Sequence, residues 1–137
     1  MAVIERLNAR ELEPANLPFA PGFVTADVSF ISLAKVLPAI TRCLEPGSDV
    51  LALVKPQFEL ERGRVGKGGV VRSNETRARV VREVAEAALG WDAQTAGVVD
   101  SGLPGPKGNR ELFLHLVQSP KPALPDELDE WIDAAVG

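Results

Sequence analysis

The sequence predicts an α/β fold with parallel strands, because two apolar runs flank a segment of helical periodicity. FVTAD, which ends at Asp27, is typical of a short buried strand. DVLALVK, which ends at Lys55, is a continuous apolar run of the kind found in parallel strands covered on both faces. Between these runs, apolar residues recur at helical spacing at Leu33, Leu37, Ile40 and Leu44. Strand, helix and strand in this order predict a right-handed βαβ unit.

The elements of the first half follow from local signals. VIERLNAREL begins apolar and becomes charged, which predicts a short strand running into a loop, and residues 14–22 form a linker rich in Pro, Asn and Gly. The first helix is expected over most of residues 32–44, with a late start or a bend at Pro38. EPGSD then predicts a turn, in which Gly47 suits the position after a helix.

The second half alternates breakers with regular segments. Four glycines predict a loop over residues 56–72, after which Ser73 can cap a helix closed by Gly90. TAGVVD and ELFLHLV are strand candidates, separated by the breaker-rich loop SGLPGPKGN. The tail from Asp126 places its apolar residues on one face, which predicts a terminal helix docked on the body.

Composition excludes several classes of function. The chain has 137 residues, enough for one domain with a single core, and its net charge of -4 disfavours nucleic-acid binding by bulk charge alone. One cysteine, Cys43, allows no internal disulfide. No apolar run approaches the roughly 18 residues of a membrane-spanning helix, so we expect a cytoplasmic protein without a membrane partner.

Charged residues stand where the predicted strands end. Asp27 and Lys55 follow the two parallel strands, and an antiparallel ELFLHLV would bring Glu111 to the same rim, where α/β sheets bind ligands. Each residue alone has a structural explanation: a turn or cap for the aspartate, solvent for the lysine, and an edge-blunting charge for the glutamate. Their convergence favours a shared site.

Four segments carry a family resemblance: TADVSFISLAKVLPA, ALVKPQFE, VGKGGVVR and GPKGNRELFLHL. Their order and spacing resemble the TlyA family, bacterial ribosomal RNA 2′-O-methyltransferases with an FtsJ-type catalytic domain. The combination of VKPQFE with VGKGGVV is the most specific part. The resemblance implies a Rossmann-like, S-adenosylmethionine-dependent methyltransferase fold with a mixed sheet and an antiparallel last strand. Family members are often labelled haemolysins, but the composition does not favour a pore.

The resemblance also implies roles for individual residues. The family uses a Lys-Asp-Lys-Glu tetrad to methylate a ribose hydroxyl, and Asp27, Lys55 and Glu111 match its last three members. Asn8, followed by Ala9, resembles the position that contacts the cofactor's adenine, and Asp27 would also border the cofactor. An amine acts as a base only when neutral, a state that a neighbouring cation favours.

Part of the family pattern has no counterpart in these residues. The tetrad's first lysine, the glycine-rich turn after the family's first strand and the S4-type RNA-binding domain all precede the matched region. We therefore expect a partial FtsJ-like domain over residues 1–118, the C-terminal half of a methyltransferase, with a tail and short helix over 119–137. Arg64, Lys67 and Arg72 are either contacts for RNA phosphates or part of a solvated charged loop.

The expected function of the parent protein is methylation of ribosomal RNA, either as free RNA or within the ribosomal subunit. We expect this chain to be inactive without the rest of that protein. The alternative is a non-catalytic folded fragment that acts by self-association or partner binding. The strand that ends at Asp27 would lack its neighbour, and an unpaired apolar edge invites pairing. We therefore expect a homodimer or swapped assembly through that edge or through residues 3–10.

Overall fold

The computed structural model describes residues 7–60, 65 and 67–137, and these form a four-stranded sheet with helices packed against one face. The strands are β1 (Phe23–Ala26), β2 (Asp49–Val54), β3 (Ala93–Pro104) and β4 (Arg110–Gln118). The α-helices are α1 (Leu33–Thr41), α2 (Pro56–Glu59), α3 (Asn74–Ala88) and α4 (Leu128–Val136). The strand order across the sheet is β1-β2-β4-β3.

Strand directions confirm the predicted mixed sheet. β1 and β2 run parallel, with Ala26 level with Ala52, and α1 connects them as the helix of a βαβ unit. β4 is antiparallel to both β2 and β3, so the last strand has the predicted direction. The carboxyl ends of β1 and β2 and the start of β4 therefore lie at one rim of the sheet.

The core lies between one face of the sheet and the helices. Alternate residues of β2 and β4 are buried there, as the period of two in a strand requires. They pack against apolar residues of α1, α3 and α4; the fully buried members include Leu37, Val81, Leu114 and Leu116. α4 packs on β3 and α3, which confirms that the terminal helix docks on the body.

The opposite face of the sheet is largely uncovered, and this corrects one expectation. The continuous apolar run of β2 predicted burial on both faces, but Leu51 and Leu53 are only partly buried. Phe23 is 61% exposed and Val99 is 57% exposed. Among the described residues, the helices cover one face only.

The helix ends agree with the sequence in part. Ser32 caps α1 by accepting a hydrogen bond from the backbone N–H of Ala34, and α1 continues through Pro38, so a late start is wrong. Ser73 caps α3 as predicted, since its hydroxyl accepts from the N–H of Thr76 at 3.2 Å. Gly90 does not close α3: a 3-10 helix follows, and Asp92 takes the left-handed conformation, with φ of 57°.

Two predicted loops contain regular structure. Residues 56–72 include α2 and a 3-10 helix, Lys67–Gly69, rather than loop alone. β3 extends through Pro104 with shifts in register, so the loop between the last two strands is shorter than SGLPGPKGN. The predicted opening strand lies mostly outside the described residues, and Ala9–Glu11 form a 3-10 helix.

Candidate functional site

Lys55 and Asp27 form an ion pair at the rim. Each follows the last residue of a strand, and because β1 and β2 are parallel neighbours, the two side chains reach the same space. Lys55 Nζ lies 2.5 Å from Asp27 Oδ1, with the lysine side chain 10% exposed and the aspartate side chain 69% exposed. The structure thus brings together two of the predicted site residues, one buried and one open to solvent.

Ser29, which the sequence did not single out, is the second partner of the lysine. Lys55 Nζ donates a hydrogen bond to Ser29 Oγ at 2.9 Å. An ammonium carries three N–H donors, and the segment after β1 accepts from two of them. The head group is therefore held in a fixed position by one short segment.

Glu111 lies on the same rim from the opposite direction. The last register pair of β2 and β4 is Val54 with Leu112, so Lys55 and Glu111 are the next residues on the two strands. Glu111 is 8% exposed, and its Oε2 accepts from Gln57 Nε2 at 3.4 Å. Because this carboxyl is buried near the Lys55 end of β2, the rim combines a buried amine with two carboxyl groups.

Gly105 leaves the space that Glu111 occupies. A Cβ at Gly105 would lie 2.7 Å from Glu111 Cδ, closer than real Cβ contacts allow, and 3.0 Å from the carbonyl oxygen of Asn109, which is tighter than most of them. The Gly105 N–H also donates to that carbonyl at 2.6 Å. The tip of the β3–β4 hairpin therefore packs directly against the buried glutamate.

Asn8 and Ala9 make their described hydrogen bonds outside this cluster. Asn8 is exposed and caps its own 3-10 helix, because its Oδ1 accepts from the backbone N–H of Arg10 at 3.0 Å. That 3-10 helix packs beside α1. Within the described part of the chain, no hydrogen bond or ion pair joins Asn8 to Asp27 or Lys55.

The three predicted RNA-binding residues are described unequally. Arg64 lies outside the described residues. Lys67 begins the 3-10 helix Lys67–Gly69, and Arg72 is exposed just before α3. The described part of this loop precedes α3 in the chain and bonds to Asn109 at the β3–β4 turn.

An exposed aromatic residue lies close to the ion pair in the chain, and it was not identified as a candidate from the sequence. Phe30 is 88% exposed, has φ of 65°, and lies 4.9 Å from Phe58 between ring centroids. Positive φ is unusual for a bulky residue and marks positions worth examining for function. Both rings line a cleft of about 550 Å³, formed by Arg10, Phe30, Ile31, Ser32, Lys35, Phe58, Glu59 and Leu60.

Glu59 connects this cleft to the start of α1. Its carboxylate accepts from the Ser32 hydroxyl at 2.6 Å and from the Leu33 N–H at 2.9 Å. Burial raises the pKa of the Glu59 carboxyl, although these two hydrogen bonds act in the opposite direction. The glutamate of VKPQFE therefore ties the lysine-bearing segment to the helix that follows Asp27.

The described residues offer neither a metal cluster nor a transmembrane segment. No group of three or more His, Cys, Asp and Glu side chains is arranged to hold a metal ion. None of the described helices combines the length and the hydrophobicity that crossing a bilayer requires.

A mixed α/β sheet with a buried lysine paired to a carboxylate at its rim, and a buried glutamate at the start of the neighbouring strand, defines the class of protein: a Rossmann-like α/β domain with charged side chains at the strand ends. The family model of the FtsJ-like methyltransferases matches residues 1–118. The chain therefore belongs to the FtsJ-like methyltransferase family, and the predicted resemblance is confirmed.

Curated relatives and a solved structure are also similar to this chain. The chain is 51% identical over 118 residues to the 16S/23S rRNA (cytidine-2′-O)-methyltransferase TlyA of Mycobacterium tuberculosis, a match that covers 85% of this chain and 43% of the relative. It is 32% identical to Hemolysin A of Brachyspira hyodysenteriae, covering 83% of this chain and 48% of the relative. A solved hemolysin candidate from Streptococcus thermophilus superposes with a TM-score of 0.85 at 35% identity, over 93% of this chain and 47% of that one. The chain thus spans less than half the length of these relatives.

Proposed function

We propose that this chain carries part of the catalytic site of an enzyme that methylates ribose 2′-hydroxyls of ribosomal RNA with S-adenosylmethionine. The observation that carries the proposal is the Lys55 side chain, buried and held by Asp27 and Ser29 next to the Glu111 end of β4. Family membership and the 51% identical rRNA methyltransferase supply the reaction class. An enzyme that acts on ribosomal RNA operates in the cytoplasm, so the proposal includes a cytoplasmic location for this protein.

Lys55 is the proton-handling residue in this proposal. A ribose hydroxyl is a weak nucleophile, and a neutral amine beside it accelerates transfer by taking its proton as the new bond forms. An ammonium cannot accept this proton, so the proposal needs a neighbouring cation that favours the neutral amine, the role that the resemblance gives to the tetrad's first lysine. Asp27 and Ser29 fix the position of Nζ, which keeps the amine aligned. Glu111 enters from the neighbouring strand and orients the hydroxyl and the amine.

The residues present fit the cofactor in part. Asp27 offers a carboxylate that is 69% exposed at a strand end, an acceptor for polar groups of a ligand, and Asn8 is exposed as well. We assign the cofactor contacts to Asp27, Asn8 and Ala9. S-Adenosylmethionine supplies the methyl group when bound.

RNA would reach the rim from the side of the loop that contains Lys67. Arg64, Lys67 and Arg72 provide positive charge for phosphates, which positions RNA without reading its sequence. Phe30 presents an exposed aromatic face next to Ser29, and unstacked bases commonly pack on such faces. In this proposal the backbone and a base of RNA therefore bind at separate places.

The chain alone is expected to have little or no activity, because transfer requires both reactants to be held together. Titration of S-adenosylmethionine into the chain by calorimetry tests the cofactor assignment, with Asp27→Ala as the site variant. Asp126→Ala, at an exposed loop position, is the matched control. Saturable binding that Asp27→Ala abolishes and Asp126→Ala preserves supports the assignment, and a methyl-transfer assay on ribosomal RNA then follows. If no binding is detected, the assignment of cofactor contacts to this chain is wrong, and cofactor binding is then a property of the longer relatives only.

We also propose the alternative role of self-association, because the uncovered sheet face is apolar. A cavity of about 310 Å³ on this face is lined by Phe23, Leu51, Gly97, Val99, Phe113 and His115. β1, next to it, is an edge strand of the described sheet. A second copy would cover both features, and exposed edges of this kind favour pairing.

Sedimentation analysis tests self-association directly. Phe23→Ser is expected to shift the chain toward monomer, whereas Phe19→Ser, a control at a residue that is 71% exposed but outside the sheet, is expected to leave the assembly unchanged. A wild-type chain that remains monomeric at high concentration contradicts the proposal.

A further inference from the structure

Asn109, in the turn between β3 and β4, is a buried polar residue that the proposed chemistry does not use. It is 2% exposed, and its amide bonds to a different loop at both ends. Asn109 Nδ2 donates to the carbonyl oxygen of Gly69 at 2.9 Å, and Asn109 Oδ1 accepts from the Val71 N–H at 2.9 Å. Because one end donates and the other accepts, the amide in this orientation satisfies both groups at once.

The segment that Asn109 holds leaves the 3-10 helix at Gly69 and then has no regular structure to satisfy its backbone. Val71 is 3% exposed and lies outside the helices and strands. Its N–H is bonded by Asn109, and its carbonyl oxygen accepts from Arg77 Nη2 at 2.9 Å. Buried peptide groups without a partner are costly, so these two side chains fix the path of the backbone immediately before Arg72.

The same residue connects to the rim through its own backbone. The carbonyl oxygen of Asn109 accepts from the N–H of Gly105, the glycine whose missing Cβ leaves room for Glu111. Asn109 thus joins three parts of the molecule: the segment at residues 69–71, the hairpin tip and the position of Glu111.

We propose that Asn109 is a positioning residue that holds the segment at residues 69–71 so that Arg72 meets RNA phosphates at a fixed distance from Glu111. This inference rests on the proposed function, since it specifies how RNA is aligned at the same rim. Asn109 is not a catalytic residue, because it acts through the backbone of Val71 and Gly105.

The experiment uses the full chain and two measurements. Hydrogen exchange of the Val71 amide, followed by NMR, reports whether the contact exists in solution. Binding of a short fluorescein-labelled single-stranded RNA at low salt, followed by anisotropy, reports whether the contact matters for RNA. Asn109→Ala removes both hydrogen bonds. Asn109→Asp is the second variant: it keeps the acceptor for Val71, replaces the donor to Gly69 by an oxygen, and adds a buried charge.

The control for the added charge is Asn16→Asp, at an exposed position in a 3-10 helix distant in sequence from both loops. We expect Asn109→Asp to weaken RNA binding about tenfold relative to this control, a coupling of the size seen between contacting residues. In an Arg72→Gln background the same change is expected to alter affinity by less than about twofold, because the group that Asn109 positions is gone. Asn109→Ala is expected to speed exchange of the Val71 amide about tenfold or more.

The outcomes separate this inference from the proposed function. If the wild-type chain binds RNA and the Asn109 variants bind equally well, the positioning role is overturned while the RNA contact stands. An effect of Asn109→Asp that persists undiminished without Arg72 overturns it too. A wild-type chain that does not bind the RNA overturns the RNA contact of the proposed function, and the role of Asn109 falls with it.

Discussion

Lys55 and Asp27 are paired asymmetrically: the ammonium is buried at the end of β2, whereas the carboxylate 2.5 Å away is 69% exposed at the end of β1. A buried cation needs a partner more than an exposed anion does, because water solvates only the latter. The pair therefore fixes the lysine while leaving Asp27 accessible to other ligands.

The first prediction is that removal of Asp27 destabilises the chain through Lys55. Asp27→Ala leaves the buried ammonium with Ser29 as its described acceptor, and we expect the free energy of unfolding to fall by about 1–3 kcal/mol. Urea denaturation measures this change. Asp27→Asn keeps an acceptor at the same place, and its free energy of unfolding is expected to fall by less. If the wild type and both variants are equally stable, the ion pair does not stabilise the chain.

The second prediction concerns the space beside Glu111. Gly105→Ala places a methyl group against the Glu111 carboxyl and the Asn109 carbonyl, so we expect a loss of about 1–3 kcal/mol in the free energy of unfolding, as for overpacked sites. Gly90→Ala, where nothing lies within 4 Å of the added methyl, is the control and is expected to be nearly neutral. If the two variants unfold at the same urea concentration, the close packing at Gly105 is wrong.

The rim could be predicted from the sequence because strand positions follow from apolar runs. Once FVTAD and DVLALVK are parallel strands and ELFLHLV is antiparallel, the residues at their ends must share a rim, and the register confirms this for Asp27, Lys55 and Glu111. The direction of the last strand came from the family resemblance as well as from the pattern.

Contacts that depend on tertiary structure could not be predicted in this way. Ser29 and Phe30 follow Asp27 in a segment without periodicity, so neither the hydrogen bond to Lys55 nor the positive φ has a local signal. Asn109 was hidden in a run of turn-forming residues, and its partners at Gly69 and Val71 lie about forty positions away. The uncovered sheet face was missed because an apolar run does not show what packs on each side.

The third prediction tests the cap of α3. Ser73→Ala removes the hydroxyl that accepts from the Thr76 N–H, and we expect the free energy of unfolding to fall by about 1 kcal/mol. Lys121→Ala, a substitution at an exposed position between β4 and α4, is expected to stay within about 0.5 kcal/mol of wild type. Thermal unfolding followed by circular dichroism compares the two, and a Ser73 variant as stable as the control argues against the cap.

The fourth prediction is a pH dependence carried by Glu59. Burial raises the pKa of this carboxyl in the folded chain, so between the ordinary glutamate pKa and the raised value the folded state holds a proton that the unfolded state has lost. The contribution of Glu59 to stability is therefore complete below the ordinary pKa and declines as pH rises through the raised one. Glu59→Gln cannot titrate and still allows hydrogen bonds to Ser32 and Leu33.

We expect the difference in unfolding free energy, wild type minus Glu59→Gln, to decrease steadily from acidic pH toward neutral pH. Urea denaturation of both proteins across this range measures it, with Glu45→Gln, at an exposed residue, as the control that should show no such trend. A difference that instead grows with pH would mean that the hydrogen bonds from Ser32 and Leu33 outweigh burial, and that Glu59 serves α1 mainly as a charged cap.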